Sequence, residues 1–377
     1  MRSTPRIAFY APMKSPNHPV PSGDRQVGRL FLAALERAGF SVDIASEFRS
    51  YESAGDDAAQ KSIRQAGAVE AARLIAQYRQ QPSLRPDLWF TYHLYHKAPD
   101  WLGPPIAAAL DIPYLIAEGS HAPKQSGGPW DINYRAAEAA LMQAEEVLCM
   151  TQLDLACIST LRDAKGSTWF PPFLDVTSPG DRDTARTRLA KTHNLDPTQP
   201  WLLAVAMMRE RDKLPSFQVL ANALKILNEK HWQLLIVGDG PARAAVEALF
   251  HSFGDKVRFA GEQGADTLPD YYAAAEIYVW PAVNEAYGMA FLEAQAAGEA
   301  VIAGEEPGVR DVVKNGETGI LVPVGQAAAF AEALDELLSN QAHRQRLAKN
   351  ARSFVLGERN LAAAAGRLKT IIDGLVR

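Results

Sequence analysis

An alternation, run through twice, constrains this chain more than any other feature. Short apolar runs are followed by longer stretches of helical period, and after a turn-rich break the whole pattern starts again. Runs such as Leu88–Tyr92, Val147–Met150 and Ile277–Trp280 are almost continuously apolar, which suits strands covered on both faces by helices. The first round places strands at Ile7–Tyr10, Val42–Ala45, Leu88–Tyr92, Tyr114–Ala117 and Val147–Met150, with helices over Gln26–Ala38, over Ala58–Gln80 and closing at Ala107–Leu110. The second places strands at Leu202–Ala206, Gln233–Val237, Val257–Ala260, Ile277–Trp280 and Val301–Ala303. Its helices fall at Leu220–Glu229, Ala242–Phe250, Leu268–Ala275 and Met289–Ala297. The clusters Ser178-Pro179-Gly180-Asp181 and Asp196-Pro197-Thr198-Gln199-Pro200 mark the break. The expected fold is therefore α/β: two Rossmann-like, doubly wound domains facing across a cleft, with ligands outside the carboxyl ends of the strands. We set the first domain at 1–176 and the second at 177–357, with an amphipathic helix within 358–377 packing back on the first. A length of 377 residues agrees with two cores of ordinary size.

Composition removes several classes of function. With 39 basic against 44 acidic residues the net charge is −5, so no global surface for nucleic acid is present. Two cysteines, Cys149 and Cys157, make no disulfide framework, and no Cys/His cluster has zinc spacing, so neither metal nor other cofactor is expected. The apolar run Ile7–Ala11 meets Pro12 before it reaches signal-peptide length, and no stretch approaches the ~18 apolar residues of a membrane helix. A cytoplasmic protein is expected. Arg344, Arg346, Lys349 and Arg352 recur at helical spacing; we read a solvated helix face, with peripheral contact to an anionic membrane as the alternative.

The richest stretch runs from Asn284 to Gly298: Asn-Glu-Ala-Tyr-Gly-Met-Ala-Phe-Leu-Glu-Ala-Gln-Ala-Ala-Gly. It follows a strand and opens a helix near Gly288. Free N–H groups and the aligned dipole at a helix start favour phosphate, and a glycine there admits close backbone approach. A carboxylate can accept two hydrogen bonds from a vicinal diol, as in a ribose or hexose. The bland alternative for Glu285 and Glu293 is a pair of solvated glutamates.

The surroundings of that stretch decide between these readings. Glu-(seven residues)-Glu with Gly inside resembles the retaining nucleotide-sugar glycosyltransferases of glycosyltransferase family 4. Val237-Gly238-Asp239-Gly240-Pro241, Val257–Gly261, Tyr271–Ile277, Pro307–Val313 and Asn315–Val322 fall at similar intervals, so the resemblance spans the second half. It implies the GT-B fold, with a nucleotide-sugar donor held mainly by the C-terminal domain and an acceptor (glycan, lipid-linked or small molecule) by the N-terminal one. It further implies that Glu293 meets the donor ribose and Glu285 the transferred sugar, with Tyr287, Gly288 and Met289 offering backbone amides and Gly261 and Glu262 bordering the base. In Arg209-Glu210-Arg211-Asp212-Lys213 the bland reading is a solvated loop; the functional one gives Arg209 and Lys213 to the diphosphate, with Arg211 as competitor. Here the chain departs from the family: Met208 stands where a glycine is usual, and Leu214 follows Lys213.

In the first half, the resemblance assigns Gly23 to the donor phosphates or the acceptor and His93 to the donor sugar, in preference to His96. Ser22 or Asp24 is the candidate helix cap. Glu118-Gly119-Ser120-His121 is a second polar segment at a strand end. Gly238–Arg243 lacks the third glycine of a dinucleotide fingerprint, which disfavours a nicotinamide enzyme. The expected function is a retaining, metal-independent hexosyltransferase using a UDP- or GDP-sugar. The alternatives are an epimerase of the same fold and a two-lobed sugar-binding protein.

Overall fold

The computed structural model describes residues 4–20, 22–163, 166–176 and 180–376. Pro21 and the boundary turn at 177–179 lie outside the described residues. Two compact units emerge, Met1–Pro171 with Leu361–Arg377, and Pro172–Asn360.

In the first unit the chain runs β1 (Arg6–Tyr10), α1 (Gly23–Arg37), β2 (Ser41–Ser46), α2 (Asp57–Gln80), β3 (Leu88–Leu94) and α3 (Gly103–Leu110). It continues with β4 (Tyr114–Gly119), α4 (Asp131–Gln143), β5 (Glu146–Cys149), α5 (Gln152–Leu161) and β6 (Ser167–Trp169). Strand order is β2-β1-β3-β4-β5-β6, and each neighbouring pair is parallel. The middle strands are buried on both faces, as their continuous apolar runs require: Phe9 stacks on Phe90 at 5.4 Å and Phe31 closes on Phe90 at 5.7 Å. Polar β6 at the sheet edge escapes a search for apolar runs.

The second unit holds α6 (Arg182–His193), β7 (Trp201–Val205), α7 (Leu214–Ile226), β8 (Gln233–Val237), α8 (Arg243–Phe250), β9 (Val257–Gly261) and α9 (Leu268–Ala274). Then come β10 (Ile277–Trp280), α10 (Met289–Ala297), β11 (Ala300–Gly304), β12 (Gly319–Val322), α11 (Ala327–Ser339) and α12 (Gln341–Glu358). Its order is β12-β11-β10-β7-β8-β9, again parallel. Against expectation, α7 begins six residues before Leu220, because Pro215 sits in its first turn, where a missing N–H costs nothing. Gly240 serves packing: a β-carbon there would strike the Met208 carbonyl, whose residue is fully buried beside it.

α13 (Leu361–Leu375) belongs to the first unit and packs against α1, with the Lys369 ammonium 5.5 Å from the Phe40 ring.

Each sheet has one place where the winding reverses, between β1 and β3 in the first and between β7 and β10 in the second. Loops leaving neighbouring strands there run to opposite faces and leave room for side chains to converge.

Candidate functional site

In the second unit, the loop after β7 delivers Lys213 and the loop after β10 delivers Glu285, and the two meet across that reversal point. Lys213 Nζ donates to Glu285 Oε2 at 2.5 Å, and Trp280 Nε1 donates to the same oxygen at 3.0 Å. Both charged side chains are only 14% exposed, so the pair is shielded but reachable. The β10 loop is pinned where it bends: Val283 N–H donates to Ser216 Oγ at 2.9 Å and Asn284 N–H to Glu306 Oε1 at 3.0 Å. Ala282 and Asn284 take positive φ angles of 57° and 59°, a cost met at sites whose geometry is over-determined.

Gly288 ends the loop at φ +74°, and a β-carbon on it would come 2.7 Å from the Phe291 ring. α10 therefore opens without any side-chain cap, and its first amides remain available to an anion. Tyr287 and Met289 are half-buried and pack against the core. One turn on, Glu293 accepts a hydrogen bond from Tyr272 OH at 2.7 Å. Burial holds the Glu293 carboxyl above the usual range, while the Tyr272 bond pulls it back. Tyr278 lies within reach of both carboxylates: burial, then the charges of Glu285 and Glu293, push its hydroxyl well up.

The charge run after β7 divides. Lys213 turns to Glu285, whereas Arg209 is 49% exposed and pairs with Asp212 at 2.6 Å. Arg211 is exposed. Met207 is exposed while Met208 is buried, so only the second of the two fills core. Gly261 closes β9 and its carbonyl accepts from Gly238 N–H at 2.8 Å. Glu262 is exposed and makes no hydrogen bond or ion pair among the described residues.

In the first unit the reversal point gathers His93 and Asp24. Ser22 is the helix cap, accepting from Arg25 N–H at 3.3 Å, which leaves Asp24 for another task. Gly23 is exposed with open space around it. His93 Nδ1 lies 3.2 Å from Asp24 Oδ1 and 4.0 Å from Glu118 Oε2. Burial alone would lower the His93 pKa; the Glu118 charge and the Asp24 contact outweigh it and raise the value. Burial opposes ionisation of Asp24, and His93 overcomes that and lowers its pKa. His93 and Glu118 both adopt positive φ, 60° and 58°. His96 differs: burial, Lys97 and Lys124 all lower its pKa. His121 bonds Glu138 at 3.0 Å. The basic face on α12 is not fully solvated either, since Arg344 donates to the Leu337 carbonyl at 2.6 Å.

Three partners were not anticipated: Trp280 for Glu285, Tyr272 for Glu293, and Asp24 as the ion partner of His93. Only Tyr272 carried a signal, its place in the Tyr271–Ile277 segment. Among the described residues no group of three or more His, Cys, Asp or Glu could hold a metal ion. Likewise, no described helix is long and apolar enough to cross a membrane.

Each unit is one parallel, doubly wound six-stranded sheet, the paired Rossmann-like arrangement of the GT-B fold. Solved structures agree on the fold. A sucrose-phosphate synthase from Thermosynechococcus elongatus superimposes with a TM-score of 0.73 at 23% identity, over 98% of this chain and 99% of that one. HepE from Anabaena, in complex with UDP-glucose, gives 0.71 at 15% identity, over 98% and 100%. Residues 186–354 match the family described as Glycosyl transferases group 1. An alpha-D-kanosaminyltransferase from Streptomyces kanamyceticus is 29% identical over 199 residues, 52% of this chain and 51% of that protein. The chain thus matches about half the length of such curated relatives.

Proposed function

We propose that this chain transfers a hexosyl group from a UDP- or GDP-sugar to an acceptor hydroxyl, with retention at the anomeric carbon and without a metal. The observation that carries the reading is the Lys213–Glu285 pair beside the uncapped start of α10. A diphosphate there meets an ammonium and helix amides, which favour the charge that grows on a leaving group. Glu285 orients the sugar hydroxyls and Glu293 takes the ribose diol, each as a carboxylate accepting hydrogen bonds. Arg209 reaches the diphosphate by exchanging Asp212 for phosphate oxygens, a better bidentate partner. Gly261 and Glu262 border the base, Gly23 and His93 act from the first unit, and that unit takes the acceptor.

With no enzyme nucleophile assigned, the leaving diphosphate is read as the base for the acceptor hydroxyl, in a same-face displacement through an oxocarbenium-like state. The UDP-glucose held by HepE and the transferase name of the Streptomyces relative support the class of reaction. Two measurements test it. Titration of the protein with UDP, GDP and free glucose should show nucleotide binding. Incubation with UDP- and GDP-sugars should release the diphosphate without added metal and with α-configured product. Binding of glucose without either nucleotide would replace this reading by a sugar-binding protein, and a C2-epimerised nucleotide sugar would replace it by an epimerase.

A further inference from the structure

Trp280 closes β10 and Glu285 stands five positions on, with Pro281-Ala282-Val283-Asn284 between them. The loop turns through the positive φ angles of Ala282 and Asn284. It brings the carboxylate back to the strand end, where Trp280 Nε1 lies 3.0 Å from Glu285 Oε2. Trp280 is 2% exposed, and its ring meets that of Phe217 on α7 edge to face, 5.0 Å between centres at 80°. Phe217 is itself fully buried and makes a second such contact with Phe250 at 6.4 Å. The indole is thus clamped by the core, and its nitrogen is a donor that never accepts. A buried N–H is costly to leave without an acceptor, which ties this one to Glu285.

The carboxylate is served unevenly. Oε2 takes both the Trp280 N–H and the Lys213 ammonium, at 3.0 and 2.5 Å. Oε1 has no hydrogen-bond partner among the described residues, and it is not enclosed. The two donors also differ in what else they can do. The ammonium carries three N–H bonds on a flexible stem and can turn to a diphosphate. The clamped indole has one N–H and no second direction for it. When Lys213 answers a phosphate, Trp280 is the donor that stays on Oε2.

We propose that Trp280 is a positioning residue of the transfer site, whose N–H holds Glu285 Oε2 with or without donor and so gives Oε1 to a hydroxyl of the transferred hexose. This rests on the glycosyl-transfer reading and adds to it the group that aims its sugar-facing carboxylate. Without that N–H the carboxylate turns with Lys213, and the sugar loses an acceptor fixed in place before it arrives.

The test uses the whole chain and compares Trp280→Phe, Glu285→Gln and the double variant with wild type. Phenylalanine keeps a ring against Phe217 and lacks the N–H. Benzothienylalanine at position 280, with sulfur in place of the N–H, keeps the bicyclic shape as well. On a panel of UDP- and GDP-hexoses, the donor that wild type hydrolyses fastest is followed. Its turnover should fall by about tenfold or more in Trp280→Phe, the effect of losing one bond to a charged group. Affinity for UDP or GDP alone should stay within about twofold. In the Glu285→Gln background the same change should cost less than about twofold, because the group it acts through has already been altered. Wild-type turnover in Trp280→Phe overturns the proposal. A full tenfold loss in the Glu285→Gln background does so too, since Trp280 would then act by packing alone. A parallel loss of nucleotide affinity would equally overturn it, by giving Trp280 to the diphosphate through Lys213. Should Trp280→Phe fail to fold, the benzothienylalanine variant decides between the same outcomes. Failure of UDP and GDP to bind wild type, by contrast, strikes the glycosyl-transfer reading and is seen separately.

Discussion

Lys213 and Glu285, 72 residues apart, share a 2.5 Å hydrogen bond across the β7–β10 boundary, and Trp280 holds the same carboxylate oxygen. An ion pair enclosed to this degree rewards both partners only while both are present. Lys213→Ala should therefore lower turnover by about 10² to 10³, the range for losing one charge-stabilising donor. Glu285→Gln should do likewise, and the double variant should fall by much less than the product of the single effects. Steady-state kinetics with thermal melts measures this; independent, multiplicative losses would contradict it.

Glu293 is predicted to bind the donor only as a carboxylate, and burial makes that ionisation harder than usual. Donor affinity should rise with pH through a pKa above the ordinary glutamate value. Tyr272→Phe removes the 2.7 Å bond that favours the ionised form, so the acid limb should move to higher pH. Donor dissociation constants at a series of pH values decide the matter, and an unshifted limb refutes the assignment.

The Asp24–His93 contact couples charge to stability. His93 has a raised pKa, so its contribution is complete below the unfolded value and fades as pH climbs through the folded one. Asp24 has a lowered pKa, so its share is present above the unfolded aspartate value and fades as pH drops through the folded one. Asp24→Asn should bring the His93 titration, followed by NMR of the ring proton, to lower pH. Alkaline loss of stability should then begin earlier. A titration identical to wild type would show the contact to be inert.

Glu299, immediately after the Gly298 cap of α10, is fully buried and neither side-chain oxygen has a hydrogen-bond partner among the described residues. Burial raises its pKa well above the usual value. The folded state consequently holds a proton that the unfolded chain releases above its ordinary pKa, and stability declines as pH rises past that point. Glu299→Gln should abolish this slope and melt higher than wild type at pH 8, with little difference at pH 4. Equal melting at both pH values would argue against it.

How far the sequence disclosed the molecule depended on range. Gln233–Val237, Ile277–Trp280 and Met289–Ala297 lie where their patterns put them, because buried strands and a Gly-bounded helix write their limits locally. Ser167–Trp169 carries no such pattern; it is a strand only because β5 offers it an edge. Leu214-Pro215 reads as a break until Lys213 is seen to precede a helix start. The same holds at the sites. Glu285 and Glu293 stand out by spacing, whereas Trp280, Tyr272 and Asp24 acquire their roles from partners 5, 21 and 69 positions away.

The placement of α13 has a consequence for synthesis. Ala364, Leu368 and Ile372 are buried within a unit whose remaining residues were all made before Pro172. On the ribosome the sheet of the first unit emerges before the second unit, yet a helix needed to cover α1 is translated only after the second unit is complete. The first unit is begun before the second and finished after it, and any chain interrupted before Leu361 leaves it open.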